Sequence, residues 1–260
     1  MATNKVSKVE LGWTNEGSDL SSVLICGRSK VGKTTVLATW PKPFIISPDK
    51  GLATIRAMKP PVPFIQINRK TSESGPDEMT GWLHVRQILL DLKYKTGPVW
   101  TALQKAKYIP QTVIIDSLSS LSDVMEEEIV QEPSHDKSKE QALTLPEYNI
   151  IQRRMYAIVD IGRELPYHFV CTAGVNSEQS DNGRYMDIPT MTGRKLGERI
   201  PHLFNEVIML YVELDEKTKG RRFMATVIPS EKVPYLGART FVLPKAIENP
   251  TFQKIKGGAK

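Results

Sequence analysis

Short, largely apolar runs recur along the chain at 23–26, 44–46, 62–67, 112–115 and 167–172, the first of them uninterrupted. Runs of this length suit strands buried on both faces of a parallel sheet. Between them the apolar positions switch to helical spacing. Residues 79–95 put Trp82, Val85, Leu89 and Leu92 on one stripe, and the segment after 115 does the same with Leu118, Leu121, Met125 and Ile129. Shorter helices are expected at 33–40, stopped by Pro41, and at 51–58. Thr144 and Glu147 have the spacing of a capping box, with Pro146 in the first turn. They open a long helix to 165 whose buried stripe is Ile151, Met155, Ile158, Val159 and Gly162. Two later runs, 206–213 and 222–228, flank Asp-Glu-Lys-Thr-Lys-Gly and read as a β-hairpin.

Strands alternating with helices predict an α/β fold: one domain over 21–245 with a mainly parallel sheet and an antiparallel extension. Polar residues at 1–20 predict a flexible N-terminal arm, and 246–260 a flexible tail. The polar stretches 131–144 and 175–193 read as loops. No 18-residue apolar stretch is present to span a membrane, and the first residues lack the apolar core of a signal peptide. Cys26 and Cys171 lie inside apolar runs, and the four histidines are scattered. Buried, inert thiols, a reducing cytoplasmic setting and no zinc site are therefore expected. The formal net charge of +6 favours a polyanionic partner, although many ordinary intracellular proteins are as basic.

The strongest chemistry lies directly after the first apolar run. Gly27-Arg28-Ser29-Lys30-Val31-Gly32-Lys33-Thr34 fits G-x-x-x-x-G-K-[ST] without a mismatch. A glycine at 27 permits the sharp exit from the strand, and one at 32 lets backbone come close to phosphate. Successive N–H groups and the start of the following helix then cradle an anion. Lys33 is expected on the β- and γ-phosphates, the Thr34 hydroxyl on Mg²⁺, and Thr35 beside the nucleotide. By chance the pattern occurs in about one chain per hundred. Its position between a strand and a helix removes most of that risk.

A second acid must hold the Mg²⁺ shell. Thr112-Val113-Ile114-Ile115-Asp116 is an apolar strand ending in one, and Asp116 can also cap the next helix. Ser117 follows, so the Asp-Glu pair of many helicases and AAA machines is absent. No Asn-Lys-x-Asp guanine signature and no ABC-type signature follow the loop.

Ile-Ile-Asp-Ser-Leu-Ser-Ser-Leu at 114–121 resembles the Walker B segment of RecA-like ATPases, and the order of elements from 22 to about 243 is similar to theirs. Trp-Pro-Lys-Pro-Phe at 40–44 and Asp-Lys-Gly at 49–51 look like phage-encoded recombination ATPases of the single-strand annealing type. The resemblance implies ATP and Mg²⁺ as cofactors, a sheet ordered 5-1-4-3-2, and a cytoplasmic role, that of the host if phage-encoded. In that family a glutamate after the second strand activates water, and here Asp49 stands in its place, in a sequence that also suits a turn. The γ-phosphate sensor is missing or moved to Asn176. DNA would be gripped by the two polar loops, through Lys137, Lys139, Arg184, Tyr185, Arg194 and Lys195. Arg239 would reach a neighbouring subunit's nucleotide. Implied partners are single-stranded DNA and further copies of the chain, with a single-strand DNA-binding protein as an additional candidate.

Two other functions compete with strand annealing or exchange. The loops would grip a protein in a DNA-independent ATPase, or the phosphate loop would serve a nucleotide kinase. The absence of an arginine-rich lid segment counts against the kinase. The 5-1-4-3-2 order also makes the strands of Cys26 and Cys171 neighbours, so both thiols should be buried close together.

Overall fold

The computed structural model describes residues 20–49, 53–67, 80–132, 135, 142–179, 183–215, 220–239 and 245–257. Among them, nine strands form one sheet. The path across it runs β11 (Ile247–Glu248), β9 (Arg221–Thr226), β8 (Glu206–Leu214), β1 (Ser22–Gly27), β5 (His168–Ala173), β4 (Thr112–Ile115), β2 (Pro43–Ser47) and β3 (Phe64–Gln66). β10 (Gly237–Ala238) pairs with the start of β8. From β8 to β3 the pairing is parallel, and β9 turns back antiparallel on β8 as the expected hairpin. The five strands β8-β1-β5-β4-β2 reproduce the RecA-like 5-1-4-3-2 order, with β3 added at the edge.

Strand side chains alternate between faces and so build two cores. Leu24, Cys26, Phe44, Ile46, Val113, Ile115, Phe169 and Cys171 face α3 (Gly81–Tyr94), α5 (Leu118–Val130) and α6 (Leu145–Arg163). Val23, Ile25, Ile45, Ile114, Val170 and Ile208 face α1 (Lys33–Leu37), α2 (Ala53–Arg56) and α8 (Phe252–Gly257). Cys26 and Cys171 are fully buried on adjacent strands, with Cys171 in register with Leu24. The capping box forms: the Glu147 carboxylate accepts from the Thr144 N–H at 2.6 Å and from its hydroxyl at 2.8 Å.

Several boundaries differ from expectation. α1 ends at Leu37, because Thr39 and Trp40 close tighter turns onto Val36 and Leu37. α4 (Gly97–Lys105) was not anticipated. It starts on Gly97 and Pro98, and the buried Asp91 carboxylate accepts from Val99 N–H at 3.1 Å. Residues 175–193 are not a simple loop but a two-stranded ribbon of β6 (Val175–Gln179) and β7 (Tyr185–Pro189), followed by α7 (Arg194–Arg199). Few of the ribbon's positions are buried, so it has no apolar alternation to announce it. The supposed tail carries β11 and α8, anchored by the fully buried Ile255 and by Phe252 against Trp40 at 4.7 Å between ring centres. Most of the 1–20 arm lies outside the described residues. Among the described residues, no helix is long and apolar enough to cross a membrane.

Candidate nucleotide site

β1 delivers the chain to the loop at its carboxyl end. A Cβ on Gly27 would fall 2.7 Å from both the Leu210 carbonyl oxygen and a Val31 methyl group, so only glycine fits there. Gly32 caps α1 in the left-handed region at φ 89°, and Lys30 also has positive φ. These turns fold the loop over the start of α1. The Lys33 ammonium donates to the carbonyls of Gly27 at 2.7 Å and Arg28 at 2.8 Å, closing the loop on itself. Burial lowers its pKa, opposed by the nearby Asp116 and Cys26.

Asp116 sits at the carboxyl end of β4, two strands away. Its carboxylate accepts from the Thr34 hydroxyl at 2.9 Å and from the Thr172 hydroxyl at 2.5 Å. Burial raises the carboxyl's pKa, partly offset by those hydrogen bonds and by Lys33. Ser117 caps α5 by accepting from Ser120 N–H at 3.2 Å. Two residues on, the Ser119 hydroxyl accepts from Gly174 N–H at 2.9 Å, tying α5 to the end of β5.

A cavity of about 800 Å³ gathers these groups. Ser29, Lys30, Val31, Gly32, Lys33, Thr34 and Thr35 line it, together with Asp49 and Asp116. A hydroxyl and a carboxylate on one side of a cavity are hard oxygen donors of the kind Mg²⁺ takes, so Thr34 and Asp116 fit that ion. Asp49 is exposed at the mouth of the same cavity, beyond β2. The Ser47 hydroxyl lies between them, 3.4 Å from the Asp116 carbonyl and 3.5 Å from that of Asp49.

The remaining expected residues lie elsewhere. Arg28 points away from the cavity, toward the ribbon. Asn176 is exposed on β6 and does not line the cavity, whereas Gly174, just after β5, does. Arg239 follows β10, its N–H on Asn205 O at 3.2 Å, at the amino end of β8. That is the opposite end of the sheet from Gly27, out of reach of its own cavity. Arg184 and Tyr185 project from the ribbon, with side chains of Arg184 and residue Tyr185 well exposed, and Arg194 and Lys195 open α7. Lys137 and Lys139 lie outside the described residues. Sequence reasoning missed Thr172, although a lone threonine near the end of an apolar strand was a usable signal. It also missed Phe223 and residues 249–251 in the cavity's wall, which only tertiary folding brings there.

Residues 21–234 match the family model described as AAA domain. The chain belongs to that family. Its matched span runs from β1 through β9, and so contains the phosphate loop, Asp116 and Thr172. No curated protein matches the sequence. A solved structure similar to this AAA domain protein is the flagellar accessory protein FlaH from Methanocaldococcus jannaschii. The two are 11% identical with a TM-score of 0.41, over 88% of this chain and 84% of that one.

Proposed function

We propose that the chain is a Mg²⁺-dependent ATPase of RecA-like architecture that binds single-stranded DNA and promotes strand annealing or exchange. The observation that carries the ATPase part is the convergence of Lys33, Thr34 and Asp116 on one cavity beside a glycine-shaped anion cradle. Loop N–H groups and Lys33 hold the phosphates, and Lys33 leaves the Gly27 and Arg28 carbonyls to do so. Thr34 and Asp116 would hold Mg²⁺, which neutralises charge on the phosphate oxygens when bound. Thr172 keeps the Asp116 carboxylate oriented. Asp49 is the acid available to position and deprotonate water.

The DNA part is supported by the basic charge and by the ribbon, which follows β5 where the resemblance to RecA-like proteins implies a DNA-binding loop, and which exposes Arg184 and Tyr185. Tyr185 offers a base a stacking face. One observation favours the competing protein-directed ATPase. Arg184 lies 3.6 Å from Glu231, and Arg194 pairs with Glu198 at 2.8 Å and Glu178 at 3.9 Å, so much of this positive charge is already answered. Measuring ATP hydrolysis with and without single-stranded DNA, and DNA binding across a salt series, separates the two. Stimulation with a linear fall of log affinity against log salt supports the DNA role. Neither effect leaves the protein-directed ATPase.

A further inference from the structure

The cavity continues beyond the phosphate loop, and its character changes. One part of its wall carries Lys33, Asp49 and Asp116, whereas another is formed by Phe223 on β9, the corner Asn249–Pro250–Thr251 between β11 and α8, and Thr39. None of the residues in this second part is charged. The Phe223 ring lies 3.4 Å from where a Cβ on Gly32 would stand, so it borders the phosphate cradle directly. It is 36% exposed, a large aromatic face open to the cavity instead of the core.

The corner beside it is firmly held. Asn249 adopts positive φ and donates its N–H to the Phe223 carbonyl at 2.7 Å, which sets the asparagine next to the phenylalanine. Phe252 N–H donates to the Thr39 hydroxyl at 2.8 Å and its ring packs on Trp40, clamping the corner to α1's end. The Asn249 carboxamide makes no side-chain hydrogen bond among the described residues.

From this layout we infer a base-recognition subsite for adenine: Phe223 stacks on the ring face, and the Asn249 carboxamide pairs with its edge. The inference rests on the ATP reading of the same cavity and names what that reading leaves open. Charged groups on one part of the wall and an uncharged aromatic part bordering them match a nucleoside triphosphate, its phosphates on the first and its base on the second. A carboxamide supplies one donor and one acceptor, which adenine's amino group and N7 answer together. Guanine shows two acceptors on that edge, O6 and N7, and leaves the carboxamide oxygen facing another oxygen.

The test compares Mg²⁺-dependent binding of ATP, GTP and inorganic tripolyphosphate to wild type, Phe223→Ala, Phe223→Trp and Asn249→Asp. Asp tolerates the same positive φ as Asn. Phe223→Ala should weaken ATP by about tenfold, in line with the loss of one base–aromatic stack, and leave tripolyphosphate unchanged. Phe223→Trp should restore ATP, and Asn249→Asp, which keeps the acceptor for adenine's amino group but loses the donor to N7, should weaken ATP while GTP stays excluded. Equal weakening of ATP and tripolyphosphate in Phe223→Ala, unchanged ATP binding, or a wild type indifferent to the base would overturn the subsite. A wild type that binds neither ATP nor tripolyphosphate would instead overturn the ATP reading itself, and the subsite with it.

Discussion

Arg28, inside the phosphate-binding loop, donates from its guanidinium to the Ser177 hydroxyl on β6 at 3.1 Å and lies 3.7 Å from the Asp187 carboxylate on β7. The loop and the ribbon therefore share a joint. Lys33 holds the Arg28 carbonyl from the other side, so a lysine drawn to phosphate frees the backbone that carries this joint. Lys232, 3.4 Å from Asp187, and the Tyr235 hydroxyl, donating to the Asp187 carbonyl at 2.5 Å, hold the ribbon independently.

Arg28→Ala should accordingly loosen the ribbon without unfolding the protein. The Arg28 side chain is 63% exposed, so solvent screening limits its worth to global stability to under about 1 kcal/mol. Amide exchange across β6 and β7 should quicken while the central strands stay protected. Unchanged exchange in the ribbon would assign its anchoring to its other contacts, those of Lys232, Tyr235 and Arg194.

Asp49→Asn separates binding from chemistry. If Asp49 handles the attacking water, the variant should bind ATP like wild type and hydrolyse it about a hundredfold more slowly or worse. An unaltered rate would return Asp49 to the turn between β2 and α2 and place the water-activating acid elsewhere.

The α6 cap carries a pH signature. The Glu147 carboxyl is pulled down to about 2, first by the Thr144 N–H, then by His135 and the Thr144 hydroxyl. A depressed carboxyl stabilises the fold above its unfolded pKa of about 4.3 and loses that effect as pH falls toward the folded value. Glu147→Gln should therefore cost about 1 kcal/mol at pH 7. The gap to wild type should close between about pH 4.5 and pH 2 in urea titrations. A gap independent of pH would mean that the cap acts without its charge.

The two thiols report on the sheet's centre. Burial pushes Cys26 up to about 12 and Cys171 well above its ordinary value. Thiolate is the reactive form, so neither should react with a thiol reagent at pH 8 until the protein unfolds. Labelling should then track the denaturation curve, with both cysteines appearing together. Early labelling of either would place it outside the core described for β1 and β5.

What could be read in the sequence was what is local. The apolar runs ending in Cys26, Ile115 and Thr172 announced β1, β4 and β5, because strands buried on both faces need continuous apolar residues. The phosphate loop and Asp116 were legible for the same reason: each is a few consecutive residues whose chemistry depends on their own spacing. The ribbon was not, since a solvated two-stranded element needs no apolar alternation, and Val175 and Ile188 alone do not mark one. Nor was the docked end of the chain. Ile247 and Ile255 look unremarkable amid lysines and prolines, and only the pairing of Ile247 with Ala225, the burial of Ile255 and the seating of Phe252 on Trp40 and Thr39 make this stretch part of the fold. Thr172 shows the intermediate case, visible as a residue but not as a partner of Asp116.

The central claim, a Mg²⁺–ATP site built by Lys33, Thr34 and Asp116, is tested most directly by ATP hydrolysis in the wild type and in Lys33→Ala. Mg²⁺-dependent turnover is expected in the wild type, reduced at least about a hundredfold when the lysine is removed. Turnover that survives Lys33→Ala undiminished, or a wild type that neither binds nor hydrolyses ATP, would contradict it.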